Sequence, residues 1–509
     1  MISLQRRNVA GPGFCVHIRA IMNQNHSRPV VIGSSFAGVL VSLSLSRAGV
    51  RHVLIGGDEP DESPRLGESL NECASPELFG EFGEEFPECF HTKSHISLLN
   101  GDYATQVVVA NPGRCKHQVV EKHSSAMDPP PSTWKTFWGC ISGQNLMHVD
   151  RTKLDKALYW KAREHECCEF VSAMVEDVIV DDDQVKKLVL SDGNTIADPQ
   201  YAFDATGFRQ VVGSRCGVET TPIGGLNRVV WTHYQRDETD DCPQRWWNYG
   251  TNLLKLEHET NGLAGISWMI PLGNTVSVGV SVDANRYGAD EFSDEEIMRL
   301  TTEAYADRGV DFAALFPRRE KPIMQLTHKY YTRNRAYGKN WLLVGGSYMS
   351  VWFPSSAGLW TVAAANRLIP RILEDPQKFG AEYEQALVPL TKFHDHLDQM
   401  INGAPFRGHK DAYAFWARWL AGVPSRTGEY LRLLSSQKGE RSRFRWLAWV
   451  GSAYYRLPTS MLFFWGFFVL RIVRQPQRSQ QADQFRSYFN PIRYRAGNYF
   501  RGIANSWRS

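Results

Sequence analysis

The chain has 509 residues, of which 43% are hydrophobic and 22% charged, and its formal net charge is +3. This length exceeds what one compact core usually supports, so the sequence predicts a globular protein with two or more substructures. The small net charge excludes a general attraction to nucleic acid, and nine cysteines without metal-type spacing predict a reducing, cytoplasmic setting and no structural zinc site.

Residues 1–28 are predicted to form a tail ahead of the folded part of the chain. They lack the apolar core of a secretory signal. Met22 stands directly before the first strand-forming segment, so a start of translation later than Met1 is an alternative.

Residues 29–58 predict a strand, a tight turn, a helix and a second strand. Gly33, Ser35 and Gly38 stand at the three positions of a dinucleotide-binding turn, although the middle position is usually glycine. These positions permit a sharp turn, close approach of the backbone to a diphosphate, and tight packing of helix on strand. Asp58 follows about 20 residues later, where an acid can bind the ribose. An ordinary glycine-rich turn is the alternative.

Helix and strand patterns alternate in the next part of the chain. The predicted elements are a helix at 76–86, a hairpin of 95–99 and 104–109, a loop at 120–131, a helix after Asp150, strands at 170–180 and 185–190, and a short apolar run at 201–204. Asp150 is predicted to cap its helix, because an aspartate at this position accepts hydrogen bonds from free backbone N–H groups.

Residues 220–337 change to long alternating runs that are rich in aromatic side chains. The runs at 228–234, 265–270 and 275–282 predict an antiparallel sheet, and residues 294–306 predict a helix. Such a sheet can wall a cavity for a flat apolar molecule. The aromatic residues in question are Trp231, Tyr234, Trp246, Trp247 and Trp268.

The alternation of strand and helix seen before residue 220 returns with a strand at 341–346 and a long apolar helix at 357–373. We therefore predict an α/β (α+β) protein with a Rossmann-like domain and an inserted sheet domain. The predicted limits are 29–219 and 338–375 for the first domain, 220–337 for the substrate-binding sheet domain, and 376–509 for a helical C-terminal region.

Residues 457–474 are predicted to lie on a membrane surface, with a helix buried against the body of the protein as the alternative. The apolar run at 457–470 is too short for a bilayer, which takes about 20 apolar residues. Residues 471–509 contain many arginines and a single acid, Asp483. This composition suits anionic lipid, so peripheral membrane attachment is an alternative to a purely cytoplasmic location.

Four segments, in this order, resemble the FAD-binding core of the class A, para-hydroxybenzoate hydroxylase-like flavoprotein monooxygenases. They are GSSFAG at 33–38, HVDRTKLD at 148–155 with Arg151 and Asp155, FDATG at 203–207, and WLLVGG at 341–346 followed by PSSAG at 354–358. Within this superfamily, RLGES at 65–69 and ISWMIP at 266–271 are similar to the flavin-dependent (tryptophan) halogenases and the geranylgeranyl reductases. The likeness covers residues 29–373.

The resemblance implies that FAD is the cofactor, and it assigns residues to FAD. The implied cofactor-binding residues are Gly33, Ser35, Phe36, Ala37, Gly38, Asp58, Glu68, Arg151, Asp204, Gly207, Gly346, Pro354, Ala357 and Gly358. The helix after Pro354 would direct its N-terminal amides at the isoalloxazine and stabilise the negative charge of the reduced flavin. For Arg151 and Asp155, a salt bridge along one helix face is the alternative.

The chain departs from the halogenase pattern at several positions. Gly346 stands where the family has an aspartate that holds the ribityl chain, Ile266 replaces a tryptophan, and Ser355 stands where an acid is expected. Halogenases have a lysine beyond the segment that matches RLGES, and Lys93 lies roughly at that place in this chain. An ordinary surface lysine is the alternative. The implied catalytic residues are Lys93, Trp268, Ser355 and Ser356, and a cavity wall or core position is the alternative for Trp268.

The resemblance implies an FAD-dependent oxidoreductase. The first interpretation is a monooxygenase in which reduced flavin and O2 form a C4a-hydroperoxide that oxygenates an aromatic or apolar substrate. The sequence shows no second nucleotide motif, and in the halogenase-like branch a separate reductase supplies reduced flavin, so the resemblance implies a partner flavin reductase. The alternatives are a halogenase with altered catalytic groups, a membrane-associated reductase of lipid or prenyl substrates, and a non-catalytic binding protein on a degenerate flavin fold.

Overall fold

The structure is a computed structural model, and it describes residues 28–71, 73–93, 95–100, 103–108, 146–236, 250–307, 310, 312–316, 318–351 and 357–402. The predicted N-terminal tail up to residue 27, the loop at 120–131 and the membrane-surface segment at 457–474 lie outside these residues. None of the helices in the described ranges combines the length and the apolarity needed to cross a bilayer.

A five-stranded parallel sheet forms the centre of the first substructure. Its strands, in order across the sheet, are β18 (Trp341–Leu343), β11 (Ala202–Asp204), β1 (Val30–Ile32), β2 (His52–Gly56) and β7 (Cys168–Ser172). The four strands from β18 to β2 are fully buried, as parallel strands between layers of helices are. Because all five strands run parallel, their carboxyl ends share one edge of the sheet.

Helices surround this sheet. They are α1 (Phe36–Arg47), α2 (Ala74–Phe82), α3 (Arg151–Arg163), α4 (Val211–Arg215), α8 (Ala357–Ile372) and α9 (Pro376–Asn402). Small and apolar residues cover α1 on nearly all sides, which suits its position in contact with both α3 and α8. The predicted cap of α3 is confirmed, because the Asp150 carboxylate accepts hydrogen bonds from the N–H groups of Thr152 and Lys153.

An eight-stranded sheet forms the second substructure. Seven of its strands follow the order β16, β12, β15, β14, β13, β4, β5, and β17 also pairs with β12. Their bounds are β4 (His95–Asn100), β5 (Tyr103–Val108), β12 (Thr220–Gln235), β13 (Gly250–Leu256), β14 (Gly265–Leu272), β15 (Thr275–Asp283), β16 (Arg318–Arg319) and β17 (Met324–Arg333). Helix α6 (Asp294–Ala306) covers one face, where Met269, Val278 and Val280 pack with its Ile297 and Tyr305.

The opposite face of this sheet, here called the inner face, carries Trp231, His233, Thr251 and Trp268. Trp231 and Trp268 both pair with Gly279, and residues that pair across strands share a face. His233 and Thr251 share this face because side chains alternate along each strand.

The remaining elements are small. They are β3 (Phe90–Thr92) paired with β6 (Met147–Val149), a three-stranded sheet of β8 (Val175–Asp181), β9 (Gln184–Leu190) and β10 (Thr195–Ala197), and the short helices α5 (His258–Asn261) and α7 (Phe312–Leu315). The single strand predicted at 170–180 is therefore wrong. The chain leaves the parallel sheet after Ser172, and the backbone of Met174 then forms hydrogen bonds with Ser191 at the end of the small sheet.

The predicted hairpin of 95–99 and 104–109 is confirmed as β4 and β5, and the helix at 294–306 is confirmed as α6. The two hairpin strands join the large sheet through a parallel pairing of β4 with β13. The sheet thus takes strands from outside the predicted 220–337 segment, and the domain limits stay a prediction.

Candidate active site

The turn after β1 holds backbone segments so close together that no side chain fits between them. Gly33 has a φ of +104°, and a Cβ there would lie 2.8 Å from the carbonyl oxygen of Ala205. A Cβ on Gly38 would lie 1.8 Å from the carbonyl oxygen of Gly33. Both neighbouring atoms belong to the backbone, so these positions require glycine.

The N-terminus of α1 presents donor groups at this edge of the sheet. Ser35 is the exposed N-cap, its hydroxyl makes no capping hydrogen bond, and the first turn contains no acidic residue. The first N–H groups of a helix have no partners within the helix, and the helix dipole favours an anion beside them. Gly33, Ser35, Phe36, Ala37 and Gly38 therefore fit a diphosphate.

The loops after β11 and β18 reach the same edge. A Cβ on Gly345 would lie 3.3 Å from the Cβ of Ala37, and a Cβ on Gly346 would lie 3.3 Å from the Cα of Gly207. The Gly207 N–H also donates to the Ser347 hydroxyl at 2.9 Å. Three glycine-bearing loops, after β1, β11 and β18, therefore meet at one edge of the sheet, and the space that they border is here called the groove.

Asp204 is fully buried, and both of its carboxylate oxygens accept hydrogen bonds from protein groups. Oδ1 accepts hydrogen bonds from the N–H and hydroxyl of Thr206 and from the Ser347 hydroxyl, at 3.0, 2.6 and 3.0 Å. Oδ2 accepts from the Val212 N–H at 2.9 Å. The geometry therefore gives Asp204 the task of positioning the loop that carries Gly207, whereas the resemblance implied a cofactor contact.

Asp58 follows β2 at the carboxyl edge of the parallel sheet, one strand away from the glycine turn. Its side chain is exposed. This position suits the predicted contact with a ribose hydroxyl.

Arg151 is held by protein groups at the border of the groove. Nε and Nη2 donate to the two carboxylate oxygens of Asp155 at 2.6 and 2.8 Å, and Nη1 donates to the Leu66 carbonyl at 3.0 Å. The guanidinium also lies 3.9 Å above the centre of the Phe36 ring. The salt bridge considered as the alternative is present within α3, and the packing of the guanidinium on Phe36 connects α3 to the start of α1.

The segment 64–70, which contains the RLGES residues, joins the two substructures. The indole N–H of Trp231 donates to the Pro64 carbonyl at 3.1 Å. Glu68 Oε1 lies 2.7 Å from His233 Nε2, and both residues are buried, with exposures of 2% and 3%. Glu68, which the resemblance assigned to FAD, thus pairs with the inner face of the large sheet.

The pH dependence of stability follows from this pair. Burial acts to lower the pKa of His233, but the charge and hydrogen bond of Glu68 outweigh it and raise the pKa. A raised native pKa stabilises the fold fully below the unfolded pKa of about 6.5, and the contribution disappears as the pH rises through the native pKa. We expect the free energy of unfolding of the wild type, relative to His233→Gln, to fall as the pH rises above about 6.5. Denaturant titrations across a pH series check this, and a difference that grows with pH would contradict it.

Lys93 is buried, with an exposure of 3%, so the alternative of an ordinary surface lysine is wrong. Its ammonium donates to the Ser69 hydroxyl at 2.8 Å and to the Leu70 carbonyl at 3.0 Å. The cost of burying a charge is acceptable only where polar groups replace water, and the 64–70 segment provides them. Lys93 therefore lies beside the junction of the two substructures.

A chain of hydrogen bonds continues from Ser69 into the large sheet. The Ser69 and Thr251 hydroxyl oxygens are 2.7 Å apart, Thr251 lies 2.9 Å from His148 Nε2, and His148 Nδ1 lies 3.1 Å from the Pro271 carbonyl. A carbonyl only accepts, so Nδ1 carries a hydrogen, and Nε2 of the neutral ring then accepts from Thr251. These hydrogen bonds link Lys93 to β14, the strand that carries the ISWMIP residues.

Trp268 is a buried part of the inner face. Its indole N–H donates to the Ser277 hydroxyl at 3.3 Å. A Cβ on Gly279 would lie 2.2 Å from the Trp268 ring and 2.5 Å from the Trp231 Cβ. Both tryptophan side chains thus pack against Gly279, an arrangement that suits the wall of a cavity.

Pro354, Ser355, Ser356, Trp246 and Trp247 lie outside the described residues, so their predicted roles stay predictions. Helix α8 begins at Ala357, and a Cβ on the exposed Gly358 would meet no atom within 4 Å.

Sequence reasoning missed the polar residues that form hydrogen bonds between distant parts of the chain. These are Ser69, His148, His233, Thr251 and Ser347. Alternation along β12 and β13 could have placed His233 and Thr251 on one face, but no spacing signals the other three.

The groove as a whole fits FAD. It combines a glycine turn that admits a diphosphate, an uncapped helix N-terminus, an exposed acid one strand away, and two further loops whose glycines allow close approach of a ligand.

No protein family model and no curated protein sequence matches the chain. Solved structures with the same fold include the halogenase PltM, at 16% identity and a TM-score of 0.63, with 92% of this chain and 96% of that chain covered. The flavin-dependent halogenase CmlS matches at 17% identity and a TM-score of 0.60, over 95% of this chain and 79% of that one. The flavin-dependent brominase Bmp2 matches at 17% identity and a TM-score of 0.58, over 85% and 98%. The predicted fold, with its likeness to flavin-dependent halogenases, is confirmed.

Proposed function

We propose that the protein is an FAD-dependent oxidoreductase that uses O2 to modify a small aromatic or apolar molecule. The observation that carries this proposal is the meeting of the Gly33–Gly38 turn, Gly207 and the loop at 345–347 along one groove. The fold shared with flavin-dependent halogenases supports it, and one of these, PltM, has been crystallised with phloroglucinol and FAD.

Two parts of the groove would hold the cofactor, and Asp204 would support the loops beside them. Gly33, Ser35 and Gly38 bind the diphosphate through backbone N–H groups and the N-terminus of α1. Asp58 accepts a hydrogen bond from the adenosine ribose. Asp204 keeps Gly207 and Ser347 in place without touching the cofactor. Bound flavin supplies the electron transfer and the reaction with O2, and the protein determines what reaches it.

The inner face of the large sheet would form the substrate side. Trp231 and Trp268 offer a buried apolar surface there, and the 64–70 segment connects this face to the groove. A flat aromatic substrate on these rings displaces water from the reacting centre. Phloroglucinol is a suitable probe because it is the compound crystallised with PltM.

Oxygenation is the first candidate reaction, and halogenation is the second. Ile266 and Ser355 depart from the halogenase pattern, which favours the oxygenase. The buried ammonium of Lys93 favours the halogenase, because a fixed donor can hold and polarise an oxidised halogen species beside the substrate.

A supply of reduced FAD from a separate flavin reductase completes the proposal. The test incubates the protein with such a reductase, NADH, O2 and phloroglucinol or other phenols, with and without bromide. A product heavier by one oxygen atom supports the oxygenase, and a bromide-dependent brominated product supports the halogenase. Turnover that persists without O2 would contradict both, and rapid oxidation of NADPH by the purified protein alone would contradict the need for a partner.

Lys93→Met separates the two reactions. We expect bromide-dependent product to fall about 100-fold or more, because the variant removes the ammonium that would hold the oxidised halogen species. Flavin reoxidation by O2 and any oxygenated product should stay within about threefold of the wild type. Lys153→Met is the matched control, since Lys153 is largely exposed and pairs with Asp150. Bromination that survives in Lys93→Met would remove the case for halogenation through this lysine.

A further inference from the structure

Arg333, at the end of β17, is a buried cation that none of the described acids balances. Its exposure is 7%. Nη1 donates to the carbonyls of Gly346 and Tyr348 at 3.4 and 3.3 Å, and the guanidinium lies 4.3 Å from the centre of the Tyr331 ring. Nε is buried without a hydrogen-bond partner. In the part of the chain that the structure describes, no carboxylate forms an ion pair with Arg333, and the hydrogen bonds that Asp204 accepts come from Thr206, Ser347 and Val212.

Such an arrangement is costly for the protein alone. A buried charge normally has a counter-charge with hydrogen bonds of good geometry, and contacts of 3.3–3.4 Å to neutral carbonyls are at the long end of the range. An anionic ligand group beside the guanidinium would provide the missing partner.

The order of the loops along the sheet edge indicates which group this is. Asp58 follows β2, the glycine turn follows β1, Gly207 follows β11 and Gly346 follows β18, and these four strands are neighbours in that order. FAD has the order adenosine, diphosphate, ribityl chain, isoalloxazine. With its ribose at Asp58 and its diphosphate at the glycine turn, the flavin half extends toward β18. Adjacent strands are about 4.8 Å apart, so the β18 loop lies about 10 Å from the diphosphate position.

We propose that Arg333 places positive charge at the flavin end of the groove and stabilises the anion that the isoalloxazine becomes on reduction. This inference rests on the proposed binding of FAD. The oxidised ring is neutral and the reduced ring carries the charge, so Arg333 binds the reduced cofactor more tightly than the oxidised one. The midpoint potential of bound FAD rises as a result, and reduced FAD from a partner is retained in the groove.

The test compares Arg333→Met, Arg333→Lys and Arg335→Met. Methionine keeps an apolar side chain in place of the aliphatic part of arginine and removes the charge, so the variant tests the guanidinium itself. Arg335 is the matched control, because it follows closely in the chain but pairs with Asp183 at 3.0 Å. Fluorescence titration gives the dissociation constant of oxidised FAD, and a dithionite titration against reference dyes gives the midpoint potential.

In Arg333→Met, oxidised FAD should bind within about twofold of the wild type, while reduced FAD binds about tenfold more weakly, which lowers the two-electron potential by about 30 mV. Arg333→Lys should recover part of the potential, and Arg335→Met should leave it unchanged. An unaltered potential in Arg333→Met, or an equal loss of affinity for both redox states, would overturn the inference while the proposed function stands. A wild-type protein that binds no FAD would overturn both.

Discussion

Gly38→Ala is expected to weaken FAD binding by about 100-fold, which corresponds to about 2.7 kcal/mol. The new Cβ would lie 1.8 Å from the carbonyl oxygen of Gly33, so the β1 turn and the start of α1 must separate. That movement changes the distance between the helix amides and the diphosphate, and binding by oriented amides is sensitive to such distances. Titration of apoprotein with FAD, followed by quenching of flavin fluorescence, measures the effect.

The matched control is Gly225→Ala. Gly225 lies on β12, outside the groove, and a Cβ there would meet no atom within 4 Å. This variant should bind FAD as the wild type does and should melt at a similar temperature. If Gly38→Ala keeps wild-type affinity, the glycine turn does not hold the diphosphate.

Glu68→Ala should lower the free energy of unfolding by about 1–3 kcal/mol at pH 6, where His233 is charged in the wild type. The substitution leaves the His233 ring buried between the two substructures without its partner at 2.7 Å, and burial then favours the neutral ring. It also removes one of the contacts by which the 64–70 segment holds the large sheet against the parallel one. Urea denaturation followed by tryptophan fluorescence gives the free energy.

An exposed ion pair provides the comparison for this prediction. Lys161 and Glu85 are also in contact, but both are about a third or more exposed, so Glu85→Ala should cost less than about 1 kcal/mol. A loss in Glu68→Ala as small as that in Glu85→Ala would show that the buried pair contributes little.

The parts of the fold that follow from local patterns were predictable. The strand, glycine turn and helix at the start of the chain, the Asp150 cap and the β4–β5 hairpin are each specified by residues close together in sequence. The convergence of the loops follows from them, because parallel strands deliver their carboxyl ends to one edge.

Contacts between distant residues were not predictable from such patterns. The pairing of β4 with β13 joins segments about 150 residues apart, and its register depends on the packing of the whole sheet. The Glu68–His233 pair and the burial of Lys93 depend on that same assembly. A lysine or histidine in an alternating run looks the same in sequence whether its face meets solvent or another substructure.

Titration of the purified wild-type protein with FAD, followed by absorbance in the flavin bands, tests most directly whether the three glycine-bearing loops form one cofactor groove. One FAD bound per chain is expected, together with a higher melting temperature, because a ligand that binds only the folded state stabilises it. A protein that stays colourless after reconstitution and melts at the same temperature with and without FAD would contradict the assignment.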